Sequence, residues 1–420
     1  MFDAAAIAAA TPTAPITGVA EQDLLAAVDA AHDELIELCA RLVDAPSANP
    51  PGDTREVADV VAGHLRGRGL DPELVCAVPT MPSVLASVTG SGQGSGRHLV
   101  LNVHLDTMEP GDESLWTVPR HELTRVGGRL YGLGMGNMKG AVAGMSLAFA
   151  LLAERAGSWS GRLTFTAVSD ECVFGDHGAA HLLATRPDEV TGDALICGEG
   201  PGFGRLALAE KGVAWYQITA TAEGGHSSRA EQGGTATARL AAAVLALDAL
   251  NGATGTLPPG LSTIDPDDTA ALRLSVNAGT VTGGTFVSQI ATTATAMIDC
   301  RVPPGLSLAT LEAQIDGRLD GVPGVTWERV KAWESNWSGL DVPFVRTFAD
   351  AAAAVHGTQP AATVRLPASD ASRWRSRGIP AVCYGPQPTL SAGIDDYAEE
   401  SDVIGCAKVY ALAALRYLTA

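Results

Sequence analysis

Three short apolar runs in this chain each lead into side chains that can do chemistry. HLVLNVHLD carries His104 and Asp106 two residues apart, RLTFTAVSDE (162–171) runs into Asp170, Glu171 and Cys172, and DALICGEG (193–200) has Glu199 near its tip. Read as strands, the first run places His104 and Asp106 on one side by the two-residue period. Ligands of open α/β sheets collect at the carboxyl ends of strands, so His104, Glu171, Cys172 and Glu199 are expected to converge. Two chemistries suit these residue types directly. Cys172 as nucleophile, His104 as its base and Asp106 as orienter follow the logic of a Cys-His-Asp set, which is recognised by geometry and not by chain order. His104, Glu199 and Cys172 are also acceptable ligands for one zinc with a fourth position open to water. Plainer readings stand beside both: a His-x-Asp on a buried strand is commonly a satisfied core pair, and a free cysteine is most often a small buried hydrophobe.

The elements that must position these groups alternate short apolar strands with longer helical patterns, which predicts an α/β layer architecture with a mixed, mostly parallel sheet. Helices are expected over 138–156 and 403–418. Between about 207 and 328 the pattern changes to alternating antiparallel strands (WYQITATAEG, ALRLSVNAGTV, ATTATAMIDCRV) flanking a helix over 235–251. The expected organisation is a flexible tail over 1–25, a catalytic domain over 26–206 and 329–420, and an inserted α+β lid or dimerisation domain over 207–328. Asp176, His177 and His181 are read as entering the helix after Cys172. SGSGQGSGR (90–98) is not followed by a helix and reads as a hairpin or loop, not a phosphate cradle. No GxSxG elbow occurs.

At 420 residues the chain is long enough for two domains with substantial cores. A net charge of −19 argues against nucleic acid and anionic membrane surfaces as partners. No uninterrupted apolar run of membrane-spanning length stands outside an Ala-rich helix pattern. Seven cysteines without a CxxC pair predict a reducing, cytoplasmic setting. The Ala/Thr/Pro-rich N-terminus has no basic region and carries Asp3, so it does not read as a signal peptide.

Taken in order along the chain, HLDT (104–107), WTVP (116–119), RLYGLGMGNMKG (129–140), VSDEC (168–172), CGEG (197–200), GGHSS (224–228), VNAGTVTGG (276–284), DCR (299–301), SDA (369–371) and GIPAVCYGP (378–386) resemble segments of the aminoacylase, carboxypeptidase-G and succinyl-diaminopimelate desuccinylase family of two-zinc amide hydrolases. The resemblance implies a zinc-exopeptidase-like catalytic domain with an inserted lid. It also implies that one metal would be held by His104, the bridging position 137 and Glu199, and the other by the same bridge, position 172 and a histidine in the C-terminal segment SAGIDDYA (391–398). Those positions are Asn137, Cys172 and Ala392, and the last histidine in the chain is His356. A bridge between two dications calls for a carboxylate, for which a neutral amide is a poor substitute.

Other family roles are retained by the same resemblance. Glu171 stands where the family keeps its general base, and Asp106 where a carboxylate orients the ligating histidine. His226 matches a lid histidine that polarises the scissile carbonyl, commonly across a dimer, and Arg301 a lid arginine that holds a substrate carboxylate, with Asn277 nearby in VNAGTVTGG. His226 capping a turn and Arg301 bracing Asp299 are the plainer alternatives. Zinc lowers the pKa of bound water from 15.7 to roughly 7, about 12 kcal/mol that a lone glutamate cannot replace. The expectation is therefore a metal-independent enzyme that uses no cofactor and acts on a small carboxylate-bearing amino-acid or N-acyl derivative by Glu171 acid/base catalysis, as a homodimer formed through the lid. The reaction would be isomerisation, elimination, cyclisation or acyl transfer. The alternatives are a hydrolase using Cys172-His104-Asp106 or one zinc, and a non-catalytic binding homologue.

Overall fold

The computed structural model describes residues 15, 16, 18–92, 94, 96–258, 260, 261, 269–387 and 393–420. Two compact units emerge. The first comprises the described residues up to Leu208 with Ser338–Ala362 and Ser369–Ala420; the second comprises Ala209–Trp337 and Thr363–Ala368.

In the first unit a mixed sheet runs in the order Glu73–Cys76, Pro82–Ser91, Ser160–Val168, His98–His104, Ala194–Cys197, Ala381–Cys383 and the start of Arg205–Glu210. His98–His104 lies at its centre, parallel to Ser160–Val168 on one side and to Ala194–Cys197 on the other. Register pairs His104 with Val168 and Asn102 with Cys197, so the residues just beyond these partners emerge along one edge of the sheet. A parallel strand covered on both faces reads as continuous apolar sequence, as LVLNV does here.

Helix Gly140–Ala153 has no polar face because all of Gly140–Leu152 is buried. It is also the core of the only stretch among the described residues, Met135–Ala153, with the length and hydropathy to cross a membrane, and that stretch is almost entirely buried inside the fold. The C-terminal helix Glu400–Thr419 packs against it and against Pro343–His356.

Several boundaries differ from expectation. Residues 19–25 are not tail: Val19–Ala30 is a helix whose Leu24 and Val28, four apart, are fully buried against Glu400–Thr419, with Glu21 paired to Arg416 at 2.7 Å. The rest of the expected tail, residues 1–14 and 17, lies outside the described residues. The run into Glu171 stops being strand at Val168, since Asp170 adopts a left-handed φ of 65°. Asp176 and His177 precede the helix Ala179–Thr185, which contains only His181. The chain returns to the first unit at Ser338 and not at 329, because Val325–Trp333 is registered against Gly212–Thr221 in the second unit's sheet.

The second unit is α+β. Four antiparallel strands run in the order Ser275–Gly283, Thr293–Val302, Gly212–Thr221 and Val325–Trp333. Alternate residues Ala294, Ala296, Ile298 and Cys300, with Ala214, Tyr216, Ile218 and Ala220, form one core with helices Ala236–Asp248 and Leu308–Leu319. Thr235 and Ser307 cap those helices, each hydroxyl accepting a backbone N–H at 3.1 Å.

Candidate active site

The site grows from what happens where the central strands end. After Val168 the chain folds back through a tight loop in which Asp170 and Phe174 have positive φ. Glycine is required there. A Cβ on Gly175 would sit 1.8 Å from Asp170 Oδ2, and one on Gly178 would sit 1.7 Å from Ser169 O. Asp170 secures the loop by accepting from His177 N at 3.1 Å and from Asn49 Nδ2 at 3.2 Å. On the other flank, Asp396 accepts from Gly134 N (2.9 Å) and Gly136 N (3.2 Å), and Lys139 donates to Ala45 O at 2.9 Å. These bonds fix the Met135–Lys139 segment, whose Asn137–Met138 peptide is cis, against the strand end, where Met138 Sδ accepts from His104 N. Burial pushes Lys139 down to about 7 and Asp396 up to about 6.

His104 is the hub. Its Nδ1 lies 2.8 Å from the carbonyl oxygen of Asp106, which can only accept, so Nδ1 carries a proton. Its Nε2 lies 3.1 Å from Glu199 Oε1 and 3.6 Å from Glu171 Oε2. Burial alone would depress the imidazole's pKa, but the surrounding carboxylates of Glu171, Asp106 and Glu199 outweigh it and hold the ring protonated, well above the usual histidine range. Burial and the neighbouring Glu199 charge push the Glu171 carboxyl in the opposite sense to an ordinary glutamate, well up, with His104 opposing. Asp106 is fully buried and accepts from Glu171 N (3.1 Å), Cys172 N (2.9 Å) and Asn49 Nδ2 (2.9 Å). Those bonds, with His104, hold it below the usual carboxylate range despite its burial.

The four convergent residues His104, Glu171, Cys172 and Glu199 do meet, with Asp106 beneath them. The Cys172-His104-Asp106 set is disfavoured by its electrostatics. Burial together with Asp106, Glu171 and Glu199 pushes the Cys172 thiol well up, against thiolate formation, and His104 Nδ1 addresses the Asp106 backbone oxygen more closely than its carboxylate at 3.5 Å.

Two residues were missed. Asn49 links Asp106 to Asp170 from a Pro-rich loop that carries no chemical signature. Asp370, inside the SDA segment, is buried and raised to about 6 by that burial, with Arg373 opposing; it interacts electrostatically with His104, Glu199 and Asp106. Arg373 Nε lies 3.4 Å from Asp370 and its Nη2 donates to Gly175 O at 2.6 Å, tying Asp370 to the loop that carries Glu171.

Where the family resemblance puts the bridge, the chain carries the amide of Asn137, whose Oδ1 is buried and makes no hydrogen bond among the described residues, and where it puts a ligand of the second metal it carries Cys172. Ala392 lies outside the described residues. A single zinc does fit the donor chemistry: ligand atoms of His104, Glu171 and Cys172 all lie within 4.8 Å of one another. Glu171, not Glu199, completes that set.

In the second unit, His226 is exposed and its Nδ1 caps a short turn, accepting from Ser228 N at 3.2 Å beside Ser228 Oγ at 2.9 Å. Arg301 pairs with Asp299 through Nε (3.1 Å) and Nη2 (3.0 Å). Asn277 is exposed and sits opposite Asp299 across the strand pair.

The sequence profile of Peptidase family M20/M25/M40 matches residues 100–416, which include His104, Asp106, Asn137, Glu171, Cys172, Glu199 and Asp370 but not Asn49. The chain belongs to this family. Among curated relatives, this M20 chain is 31% identical over 123 residues to the N-formyl-4-amino-5-aminomethyl-2-methylpyrimidine deformylase of Halalkalibacterium halodurans, covering 29% of each chain. It is 31% identical over 144 residues to the succinyl-diaminopimelate desuccinylase of Methylocella silvestris, covering 34% of this chain and 36% of that one. The matches thus span about a third of those relatives' length. Among solved structures, an M20 family metallo-carboxypeptidase from Sulfolobus solfataricus superposes with a TM-score of 0.73 at 16% identity over 91% of this chain and 99% of that one. Human carnosine dipeptidase 1 gives 0.71 at 13% over 94% and 99%. These two structures share the fold.

Proposed function

We propose that this M20 chain is an enzyme acting on a small amino-acid or N-acyl derivative, with Glu171 as general acid/base and without a zinc pair. The observation that carries the reading is the position of the Glu171 carboxyl. One oxygen lies 3.6 Å from the His104 ring and the other is buried without a hydrogen bond among the described residues, while position 137, next to the Met138 whose Sδ accepts from His104 N, is a neutral amide. A carboxyl so placed can take a proton from a substrate and return it, which serves isomerisation, elimination, cyclisation or acyl transfer. His104, both of whose ring nitrogens are engaged by Asp106 and Glu199, supplies a fixed positive charge near developing negative charge. The relatives' names, a desuccinylase and a deformylase, favour a substrate with an acylated or acylatable nitrogen. Arg301 as carboxylate anchor, with Asn277, and His226 as carbonyl polariser belong to the same proposal, as does assembly of two copies. Seven cysteines without a disulfide support a reducing, cytoplasmic setting.

The decisive experiment measures metal by mass spectrometry on protein purified without chelator and after excess zinc, then turnover of wild type and Glu171→Gln on a panel of N-acyl amino acids and dipeptides. Near-zero metal and a loss of about 10²-fold or more in the variant are expected. Unchanged turnover in Glu171→Gln would sink the proposal. The mutual approach of His104, Glu171 and Cys172 favours a second reading, a one-zinc hydrolase. There the three residues would hold the ion, and a bound zinc supplies a water of lowered pKa; about one zinc per chain and activity lost on chelation would establish it.

A further inference from the structure

The atoms left without partners at this cluster are of one kind. Glu171 Oε1, Asn137 Oδ1 and Asp370 Oδ2 are acceptors without a hydrogen bond among the described residues, on side chains only 6%, 8% and 5% exposed. Buried polar atoms are nearly always paired, and these three sit on segments that meet at His104: Glu171 through its carboxylate, Asp370 electrostatically, and Asn137 next to Met138, whose Sδ accepts from His104 N; they call for a group that brings donors. Charge points the same way. Asp106, Glu171, Glu199 and Asp370 bring four carboxyls into mutual electrostatic range, faced by the His104 ring and by Arg373, which is engaged by Asp370 and the backbone of Gly175. A neutral amide N–H offers donors without charge, and an anion would be repelled. An ammonium offers three donors and a positive charge on one atom.

We infer that the Glu171 cluster, where the family resemblance puts the metals, serves here as a recognition site for a protonated primary amine of the substrate, with Glu171, Asn137 and Asp370 as its acceptors. Asp370 is thereby a substrate-binding residue that none of the flanking motifs identifies, held in place by Arg373. The inference rests on the reading that the Glu171 cluster is the substrate site, and it specifies the ligand class as an amino acid or diamine with its nitrogen unacylated at this locus.

The test uses the full chain, stripped with chelator and dialysed, titrated calorimetrically with L-lysine, Nα-acetyl-lysine, Nε-acetyl-lysine and the diacetylated compound. Acetylating the recognised nitrogen should weaken binding at least tenfold, and Asp370→Asn should weaken lysine by about tenfold or more, the size expected for one hydrogen bond to a charged group. Asn137→Ala provides a second variant should Asp370→Asn fail to fold. Equal affinity for lysine and diacetyl-lysine, or no binding of any of the four to protein with native circular dichroism, would overturn the inference. A chain that holds zinc at His104, Glu171 and Cys172 would overturn this inference together with the metal-independent reading; a zinc-free chain blind to acetylation would overturn this inference alone.

Discussion

Replacing Asp106 by asparagine tests the central geometry most directly, because the change preserves shape and removes only charge and one acceptor. Asp106 Oδ1 accepts from Glu171 N, and Oδ2 accepts from Cys172 N and Asn49 Nδ2, all within 3.1 Å. Whichever way the new amide is turned, its NH₂ meets at least one of these donors. The best orientation keeps the two bonds at the Oδ2 position and orphans Glu171 N, which costs about 1–3 kcal/mol. Loss of the buried charge facing His104 adds to this, giving about 3–5 kcal/mol in all, with relief of repulsion from Glu171 and Glu199 favouring the lower figure. At the roughly 2–4 °C per kcal/mol of smaller domains, an upper bound for this larger unit, the melting temperature should fall by at most about 6–20 °C. Two compact units need not unfold together, so calorimetry should be paired with hydrogen exchange on His98–His104 and Ser160–Val168 to locate the loss. The pH dependence has a defined sign. The folded pKa of Asp106 lies below its unfolded value, so its contribution is present above about pH 3.9 and is lost as pH falls through the folded pKa. The difference between wild type and variant should therefore persist at neutral pH and narrow below about pH 3.9. A variant as stable as wild type at pH 7 would refute the account of Asp106 as a buried, triply hydrogen-bonded anion.

Three further outcomes are expected. Asn137→Asp restores a carboxylate at the bridge position and should raise zinc affinity at least tenfold, about 1.4 kcal/mol, with occupancy by mass spectrometry stopping near one ion per chain because Cys172 and Ala392 remain; unaltered affinity would show that position 137 does not face the metal locus. Gly178→Ala drives a Cβ to within 1.7 Å of Ser169 O, so the loop must shift, and a destabilisation of about 1–3 kcal/mol should appear as a lowered melting temperature. For assembly, Ser275–Gly283 is an edge strand with Val281 61% exposed, and Val281→Lys should halve the mass measured by light scattering; a monomeric wild type would end the dimer proposal.

From local pattern alone came the α/β class, a central strand running into His104, the antiparallel patterning after about 207 and the convergence of His104, Glu171, Cys172 and Glu199, because period-two patterning and strand-end chemistry are local properties; the strand itself ends at His104, short of Asp106. The sequence could not place Val19–Ala30, whose two buried residues matter only once Glu400–Thr419 lies over them, nor the return at Ser338, which depends on a strand pairing more than a hundred residues away in the chain. Nor could it find Asn49 and Asp370, a loop amide and a helix-start acid that are ordinary until folding brings them to Asp106 and His104. The site's charge was equally a tertiary matter. Sequence supplies four carboxyls and one imidazole, but only their burial at a shared strand edge makes His104 hold its proton, raises Glu171 and keeps Cys172 a thiol, since the energies that set those states depend on distance and on exclusion of water.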